Sequence, residues 1–498
     1  MTAGNALTGL EVDRAAGVLL ATACGDALGA GYEGHGPLAE STAVGMVGGG
    51  FGWAPGEWTD DTSMAVAIAE FVANGSDLRT PAAHDAIAVR WAGWAREAVD
   101  VGQQTRAGLS AAGGQPTGAM LTAAATAHDA GVGESGGNDS LVRTAPVALA
   151  FLDDPDGLAE AAHAIAARAH YDPEAGEACA LWCLAIRHAV LHGTFDGLRL
   201  ALDTLPTDRR ALWAARLDEA EANPPAHFSH NGWVVQALQG AWSAITRTEV
   251  PREEPAAGRF AARHLQLALE SAVRGGHDTG TVAAIAGGLL GARWGASAVP
   301  AQWRRIVHGR PGLRSRDLIR FGLLTASGGL GYSQGWPAVA VLDYTGYGAA
   351  ATLAVHPHDP GVRLGAIGAL HFPPDDVDAV VSLCRLGVDE VPAPGVAPED
   401  HVEVWLVDSP EPAANAHLDF VLHDTARTIA GLRAEGRTVL VHCVQARSRT
   451  PAVAALYSAT FCGVPVGQAL ADLRQALPGS YPNDAFVDAL GRLVGTSR

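Results

Sequence analysis

Glu57-Trp58-Thr59-Asp60-Asp61-Thr62-Ser63-Met64-Ala65-Val66-Ala67-Ile68-Ala69-Glu70-Phe71 is the stretch whose reading decides the fold of the larger part of the chain. From Thr62 onward, bulky apolar residues recur three and four apart on an alanine background, the pattern of a helix buried over most of its surface. Two aspartates and two threonines crowd its start, where free backbone N–H groups favour carboxylate and hydroxyl acceptors. A cap needs one such group, and the second carboxylate is surplus to it. The same helical texture returns at residues 119–128, 158–170, 176–191, 232–245, 260–273 and 281–293. These segments predict one all-α domain over residues 1–325, with glycine-rich loops between helices.

The texture changes near residue 330. Of the 12 tryptophans, eleven lie before Pro337 and Trp405 alone follows it. Glycine and serine cluster at residues 325–335, and a linker is placed at 326–342. Beyond it, residues 346–355, 379–383, 402–407 and 438–441 read as strands, and 415–434 and 451–460 as helices. Short β-rich runs alternating with long helices predict an α/β domain over residues 343–498.

The chain has 498 residues, and its 34 basic residues are all arginine against 53 acidic ones, a formal charge of −19. That balance excludes a generic nucleic-acid surface, which needs a positive footprint, and disfavours adhesion to anionic lipid. An apolar fraction of 48% with 17% charge excludes a disordered acidic chain. Six cysteines without a CxxC pair are no disulfide framework. The start lacks a basic segment followed by an apolar one, and no apolar run reaches the length of a span. A soluble cytoplasmic protein is expected, with no membrane partner.

Far from Asp60 and Asp61, Gly276-His277-Asp278-Thr279-Gly280-Thr281 opens another apolar helix with a carboxylate and a hydroxyl three apart. Each motif alone also reads as ordinary N-capping. If the two helix starts meet, their oxygens suit a hard divalent cation such as Mg²⁺ or Mn²⁺.

These residues and their surroundings resemble the ADP-ribosylglycohydrolase family. The likeness begins with Ala23-Cys24-Gly25-Asp26-Ala27-Leu28-Gly29-Ala30 and Glu33, and continues through Trp58-Thr59-Asp60-Asp61-Thr62. It then takes in Gly137-Asn138 with Arg143 and Pro146, Asn231-Gly232-Trp233-Val234-Val235-Gln236-Ala237-Leu238, and the Asp278 loop. The resemblance implies an all-α fold around one or two magnesium ions. By it, Thr59, Asp60, Asp61, Asp278 and Thr281 are metal ligands, Asp60 and Asp61 also act in catalysis, and Glu33 is the catalytic flap glutamate. Asp26 borders the substrate ribose, while Gly137, Asn138 and Ser140 line the nucleotide pocket. The family motif reads Asp-Thr-Asp-Thr, and here its second carboxylate is replaced by Gly280.

Thr438-Val439-Leu440-Val441-His442-Cys443 reads as a buried strand, followed by Val444-Gln445-Ala446-Arg447-Ser448-Arg449-Thr450-Pro451 and an apolar helix. Amides of such a strand–loop–helix can face inward as an anion nest, with Arg449 as a two-pronged phosphate clamp. A cysteine there is a nucleophile, although Cys443 on its own also reads as a small buried hydrophobe. The segment resembles the cysteine-dependent phosphatases, closest to the dual-specificity type. The likeness implies Cys443 as nucleophile, Arg449 as clamp, Thr450 as the hydroxyl assisting the thiolate, and Asp408 as general acid. Asp408 also reads as a turn residue before Pro410. Ala446 stands where glycine is usual, and its Cβ would strain the loop if that position needs positive φ.

The expectation is a metal-dependent hydrolase of ADP-ribosylated protein or a small ADP-ribose derivative, joined to a phosphatase-like domain acting on a phosphorylated substrate. The alternative is an ADP-ribose or nucleotide binding module, its catalysis blunted at Gly280 and Ala446. Trp182, Trp233 and Trp242 are expected to pack helices together.

Overall fold

The computed structural model describes residues 7–132, 136–347 and 352–495. An all-α domain is followed by a mixed α/β domain. By contacts the chain forms two compact units. The first comprises Met1–Glu249, His264–Val299 and Ile306–Leu330; the second comprises Val250–Arg263, Pro300–Arg305 and Gly331–Arg498.

In the first unit the elements that matter here are α1 (Gly9–Gly29), α2 (Asp60–Ala73), α3 (Pro81–Ala95), α4 (Gln103–Ala112), α5 (Gly118–Val132), α6 (Pro173–His192), α7 (Val234–Arg247) and α8 (Thr279–Trp294). Thr8 and Glu11 form a capping box at the start of α1. Gly9–Tyr32 is long and apolar enough to cross a bilayer by length and composition, yet 89% of its most apolar window is buried inside the protein. Its apolarity is that of a core helix.

α1 runs against α8 through glycine and alanine, and the two backbones nearly touch. A Cβ on Gly25 would stand 2.2 Å from the carbonyl oxygen of Ala283, and one on Gly29 would stand 2.5 Å from the nitrogen of Gly280. Around this pair, buried tryptophans fix neighbouring helices by donating their indole N–H groups. Trp182 bonds the carbonyl of Ile285 at 3.2 Å and Trp91 that of Met64 at 3.1 Å. Trp182 and Trp242 do pack between helices, being 1% and 3% exposed.

The second unit carries a five-stranded sheet: β1 (Leu353–His356), β2 (Asp359–Gly365), β3 (Ala379–Ser382), β4 (His401–Glu403) and β5 (Val439–His442). Its order is β1-β2-β5-β3-β4, with β1 antiparallel to β2 and the other neighbours parallel. The strand expected at residues 346–355 falls partly on 348–351, outside the described residues. β5 is central and fully buried, as its unbroken apolar run requires. Helix α9 (Leu418–Ala434) packs beside α10 (Arg449–Phe461), which follows β5 directly. The loop between β5 and α10 therefore lies at the carboxyl ends of parallel strands, where α/β sheets place their ligands.

The close approach of α1 and α8 is testable. Gly25→Ala should cost about 1–3 kcal/mol through overpacking against Ala283. Gly9→Ala, where a Cβ meets nothing within 4 Å, should be nearly neutral. Denaturant unfolding midpoints of the two variants check this.

Candidate active site

The C-terminal end of α1 joins the starts of α2 and α8. Asp26 lies within α1, fully buried, and its carboxylate accepts four groups of the α2 start. These are the amides of Thr59 and Thr62, at 3.0 Å each, and their hydroxyls, at 2.9 and 2.6 Å. Asp26 thus orients the α2 start and has little acceptor capacity left for a ligand. On the other side, the Thr279 hydroxyl donates to the carbonyl of Gly29 at 2.8 Å. The amide of Gly280 donates to Glu33 Oε1. A Cβ at position 280 would stand 2.6 Å from that oxygen, so the missing side chain leaves the room that Glu33 fills.

Asp61 is buried, while Glu33, Asp60 and Asp278 are half-buried and open to the rim. Burial pushes the pKa of Asp61 well up, and the charges of Asp26, Asp60 and Asp278 add to it. Burial raises Glu33 strongly as well, followed by the charge of Asp278. Asp60 is pushed up to about 7 by burial and then by Asp139 and Asp26. Asp278 is raised by burial; it accepts from Asn138 Nδ2 at 2.7 Å, and its own amide donates to Asn231 Oδ1 at 3.1 Å. Asn138 Nδ2 also donates to the carbonyl of Asn231 at 2.7 Å. His277, beside Asp278, has φ 64°, a left-handed conformation unfavourable for a side chain of this size.

The donor set fits a hard divalent cation by its chemistry, carboxylate and hydroxyl oxygens whose charges repel. Nearby, the pKa of Arg143 is lowered by burial, against which the charges of Asp139, Asp60 and Asp61 act. Among the described residues, no three His, Cys, Asp or Glu side chains close on a single ion position.

Residues 136–138 pair with 232–234. The amide of Asn138 donates to the carbonyl of Gly232 at 3.1 Å, and that of Val234 to the carbonyl of Gly136 at 2.8 Å. The Ser140 hydroxyl donates to the carbonyl of Gly137 at 2.9 Å. Two residues here were missed by sequence reasoning. Trp233 does not pack between helices: it is 38% exposed beside Gly137, with Arg216 5.6 Å from its ring. Asp139 accepts from the Thr105 hydroxyl at 3.2 Å and supplies the largest charge effect on Asp60. A signal for Trp233 existed in its place between a polar loop and a helix, whereas nothing local in the sequence marks the Asp139 side chain as facing Asp60.

The second constellation assembles around β5. Cys443 is buried at its end, and Arg449 opens α10. Arg449 Nη1 donates to the carbonyls of Leu383 and Leu406 at 3.1 and 2.9 Å, while its Nε is buried without a hydrogen-bond partner. Asp408 Oδ2 lies 3.9 Å from that Nε, and Asp408 Oδ1 accepts from Asn483 Nδ2 at 2.8 Å. The hydroxyl of Thr450 is buried and unpartnered. His442 is held neutral by burial, its pKa pushed down to about 3, and Ser382 Oγ bridges it to His401 at 2.6 and 2.7 Å. Ala446 adopts φ 56°, so its Cβ does sit in the strained left-handed region.

Over residues 8–328 the sequence matches the family model described as ADP-ribosylglycohydrolase. The ADP-ribosylarginine hydrolase Tri1 of Serratia proteamaculans is 26% identical over 299 residues, covering 59% of this chain and 75% of that protein. The ADP-ribosyl-[dinitrogen reductase] glycohydrolase of Rhodospirillum rubrum is 29% identical over 304 residues, covering 60% and 91%. In the C-terminal part the crystal structure of human DUSP28 is similar at 24% identity, covering 29% of this chain and 96% of that one with a TM-score of 0.24.

Two expectations follow from the site itself. Asp60 titrates at about 7 in the fold against an ordinary value of 3.8. The folded protein keeps a proton that the unfolded chain has released, so cation-free stability falls as pH rises from about 4 towards 7. Buried histidines such as His170, lowered to about 4, act in the opposite sense, so the test is the comparison of variants. In EDTA, the melting midpoint of Asp60→Asn relative to the parent should be higher at pH 8 than at pH 5. In the second site, Ala446→Gly should stabilise the protein by about 0.5–1 kcal/mol by relieving left-handed strain, read as a rise in the denaturant midpoint at unchanged slope.

Proposed function

Since the chain belongs to the ADP-ribosylglycohydrolase family, we propose that its first unit hydrolyses the ribosyl bond of an ADP-ribosylated acceptor in a metal-dependent reaction. The observation that carries this reading is the meeting of Glu33, Asp60, Asp61 and Asp278, from three separate segments, beside the Gly137–Asn138 loop. An arginine-linked ADP-ribose is the favoured substrate. Two relatives are ADP-ribosylarginine hydrolases, and an acidic rim attracts a guanidinium leaving group.

Thr59, Asp60, Asp61, Asp278 and Thr281 would hold magnesium, one ion or two, with manganese as a substitute. When bound, the cation supplies fixed positive charge that orients the ribose hydroxyls and a water. Cleavage at the anomeric carbon develops oxocarbenium-like charge, which the surrounding carboxylates stabilise. Glu33, its pKa raised, is suited to take a proton from the attacking water. Asn138 holds Asp278 in place, and Asp26 acts through Thr59 and Thr62 as a positioning residue. Backbone amides of the Gly137 loop suit the diphosphate, and the exposed face of Trp233 suits the base. An overall acidic protein can hold an anionic ligand by these local means.

The second unit is proposed to be a cysteine-dependent phosphatase. Cys443 Sγ attacks phosphorus, Arg449 holds the phosphoryl oxygens, and Asp408 protonates the departing oxygen. Water then hydrolyses the thiophosphate, with Thr450 assisting the thiolate as it leaves. A second reading, binding without turnover in both units, draws on Gly280 and on the strain at Ala446. A cytoplasmic location suits both readings.

With purified full-length protein and Mg²⁺, release of ADP-ribose from arginine-modified protein should fall about 100-fold or more in the Asp60→Ala/Asp61→Ala variant, while release of phosphate from an aryl phosphate stays. Cys443→Ser should do the reverse. Calorimetric binding of ADP-ribose with no release from any modified protein would favour the binding reading. Loss of both activities in either variant would overturn the separation of the two sites.

A further inference from the structure

Behind α4 the first unit encloses a chamber of about 270 Å³ that the proposed hydrolysis does not use. Its walls come from Trp91 of α3, the alanine face of α4, and Leu121 and Ala125 of α5. Among the described residues its polar lining is Gln104, Thr105, His128, Arg143 and Arg168, without an aspartate or glutamate. A largely apolar cavity with a few convergent polar groups is the form of a small-molecule site.

Two of these groups each keep one buried nitrogen without a hydrogen-bond partner. Arg143 is 1% exposed, and its Nη1 is buried with no hydrogen bond. Its other nitrogens are engaged: Nε donates to the carbonyl of Asp139, and Nη2 lies 3.5 Å from the Thr105 hydroxyl and 3.6 Å from Asp139 Oδ2. Arg168 is similar, with Nη1 donating to the carbonyl of Gly118 at 2.9 Å and to the Thr122 hydroxyl at 2.5 Å. Its Nε is buried and unpartnered. Buried donors of this kind are unfavourable without an acceptor, and guanidinium N–H groups prefer an ionised one.

We propose that this chamber binds a small organic monoanion, a carboxylate on a compact apolar body. The charge count points to a single negative charge. Arg143 is paired with Asp139, and Arg168 hydrogen-bonds only neutral acceptors but feels the charge of Asp85, so each guanidinium is already partly balanced. The free donors are those of one terminal and one internal guanidinium nitrogen, which match the two oxygens of a carboxylate. A phosphate dianion would bring a second negative charge and more acceptors than two free guanidinium nitrogens can serve. Trp91 and the alanine walls receive the hydrocarbon or aromatic part.

The chamber also abuts the acid cluster from behind. The amide of Gly102, immediately before α4, donates to Asp60 Oδ2 at 3.0 Å, and Thr105 bonds Asp139 from the first turn of the same helix. Arg143 spans the two regions, so an occupant draws on the guanidinium that faces Asp139 and acts on Asp60 and Asp61. The inference stands on the chamber alone and does not depend on the hydrolase reading.

Calorimetric titration of the full-length chain in EDTA tests it. The probes are benzoate and hexanoate, with benzamide and hexanamide as their neutral counterparts. At least one carboxylate should bind about tenfold or more tightly than its amide. Ala125→Phe, which fills the chamber, and Arg168→Met, which removes a donor, should each weaken that carboxylate about tenfold while the melting curve stays cooperative. Binding of neither carboxylate, equal binding of the amides, or unchanged affinity in the variants would overturn the proposal and leave a water-filled cavity. If Ala125→Phe does not fold, Arg168→Met and the carboxylate–amide comparison decide the matter.

Discussion

The near contact of two backbones, α1 against α8, is the constraint on which the first unit depends. Glycine at positions 25 and 29 removes the Cβ atoms that would otherwise hold the helices apart, since a Cβ there would overlap Ala283 and Gly280. That proximity lets Thr279 bond the carbonyl of Gly29 and lets the Gly280 amide reach Glu33. One turn earlier on α1, Asp26 fixes the start of α2 through Thr59 and Thr62. Two helix starts far apart in sequence are thereby set on either side of one helix end. Helix packing sets Asp60 and Asp61 on the first turn of α2, while Asp278 and Glu33, just outside helices, are held beside them by hydrogen bonds from Asn138 and the Gly280 amide.

What the packing creates is an accumulation of negative charge that folding alone would disfavour. Glu33, Asp60, Asp61 and Asp278 all have raised pKa values, and burial is the first cause in each case. Groups that resist ionisation in this way are common where chemistry is done, because a site built for a cation is unfavourable without one. Arg143 answers part of this charge from the far side, through Asp139. The same guanidinium also lines the chamber, and one of its nitrogens is buried without a hydrogen-bond partner.

The helices of the first unit were legible because alanine and spaced apolar residues mark them whatever their tertiary setting. The observed α2 and α8 begin at Asp60 and Thr279, within the capping motifs themselves. β2 was not read as a strand, since its Asp359-Pro360-Gly361 opening carries strand-breaking residues before the apolar alternation starts. Asp26 was read as a loop residue near the ribose, whereas it lies in a helix with its oxygens occupied. Its partners are more than thirty residues away, and no local pattern announces them. The clustering of residues 250–263 and 300–305 with the second unit leaves no local mark either. Trp233 differs from Trp182 only in what surrounds it, which composition does not encode.

Gly280 and Ala446 act in opposite physical directions. At Ala446 a side chain is present where the backbone, at φ 56°, disfavours one; the burden is strain, and the loop geometry persists despite it. At Gly280 a side chain is absent, and the space it would take is filled from outside by Glu33, whose Oε1 lies 2.6 Å from the position of the absent Cβ. The cluster has therefore not simply lost a carboxylate. It holds one there by a hydrogen bond from the Gly280 amide, on a side chain that enters from the loop after α1. A carboxylate at 280 would sit on the helix start itself, whereas Glu33 reaches the same place from outside the helix. Gly280 thus acts on the cluster through the placement of Glu33, and both proposed readings start from a site that keeps its carboxylate at this position.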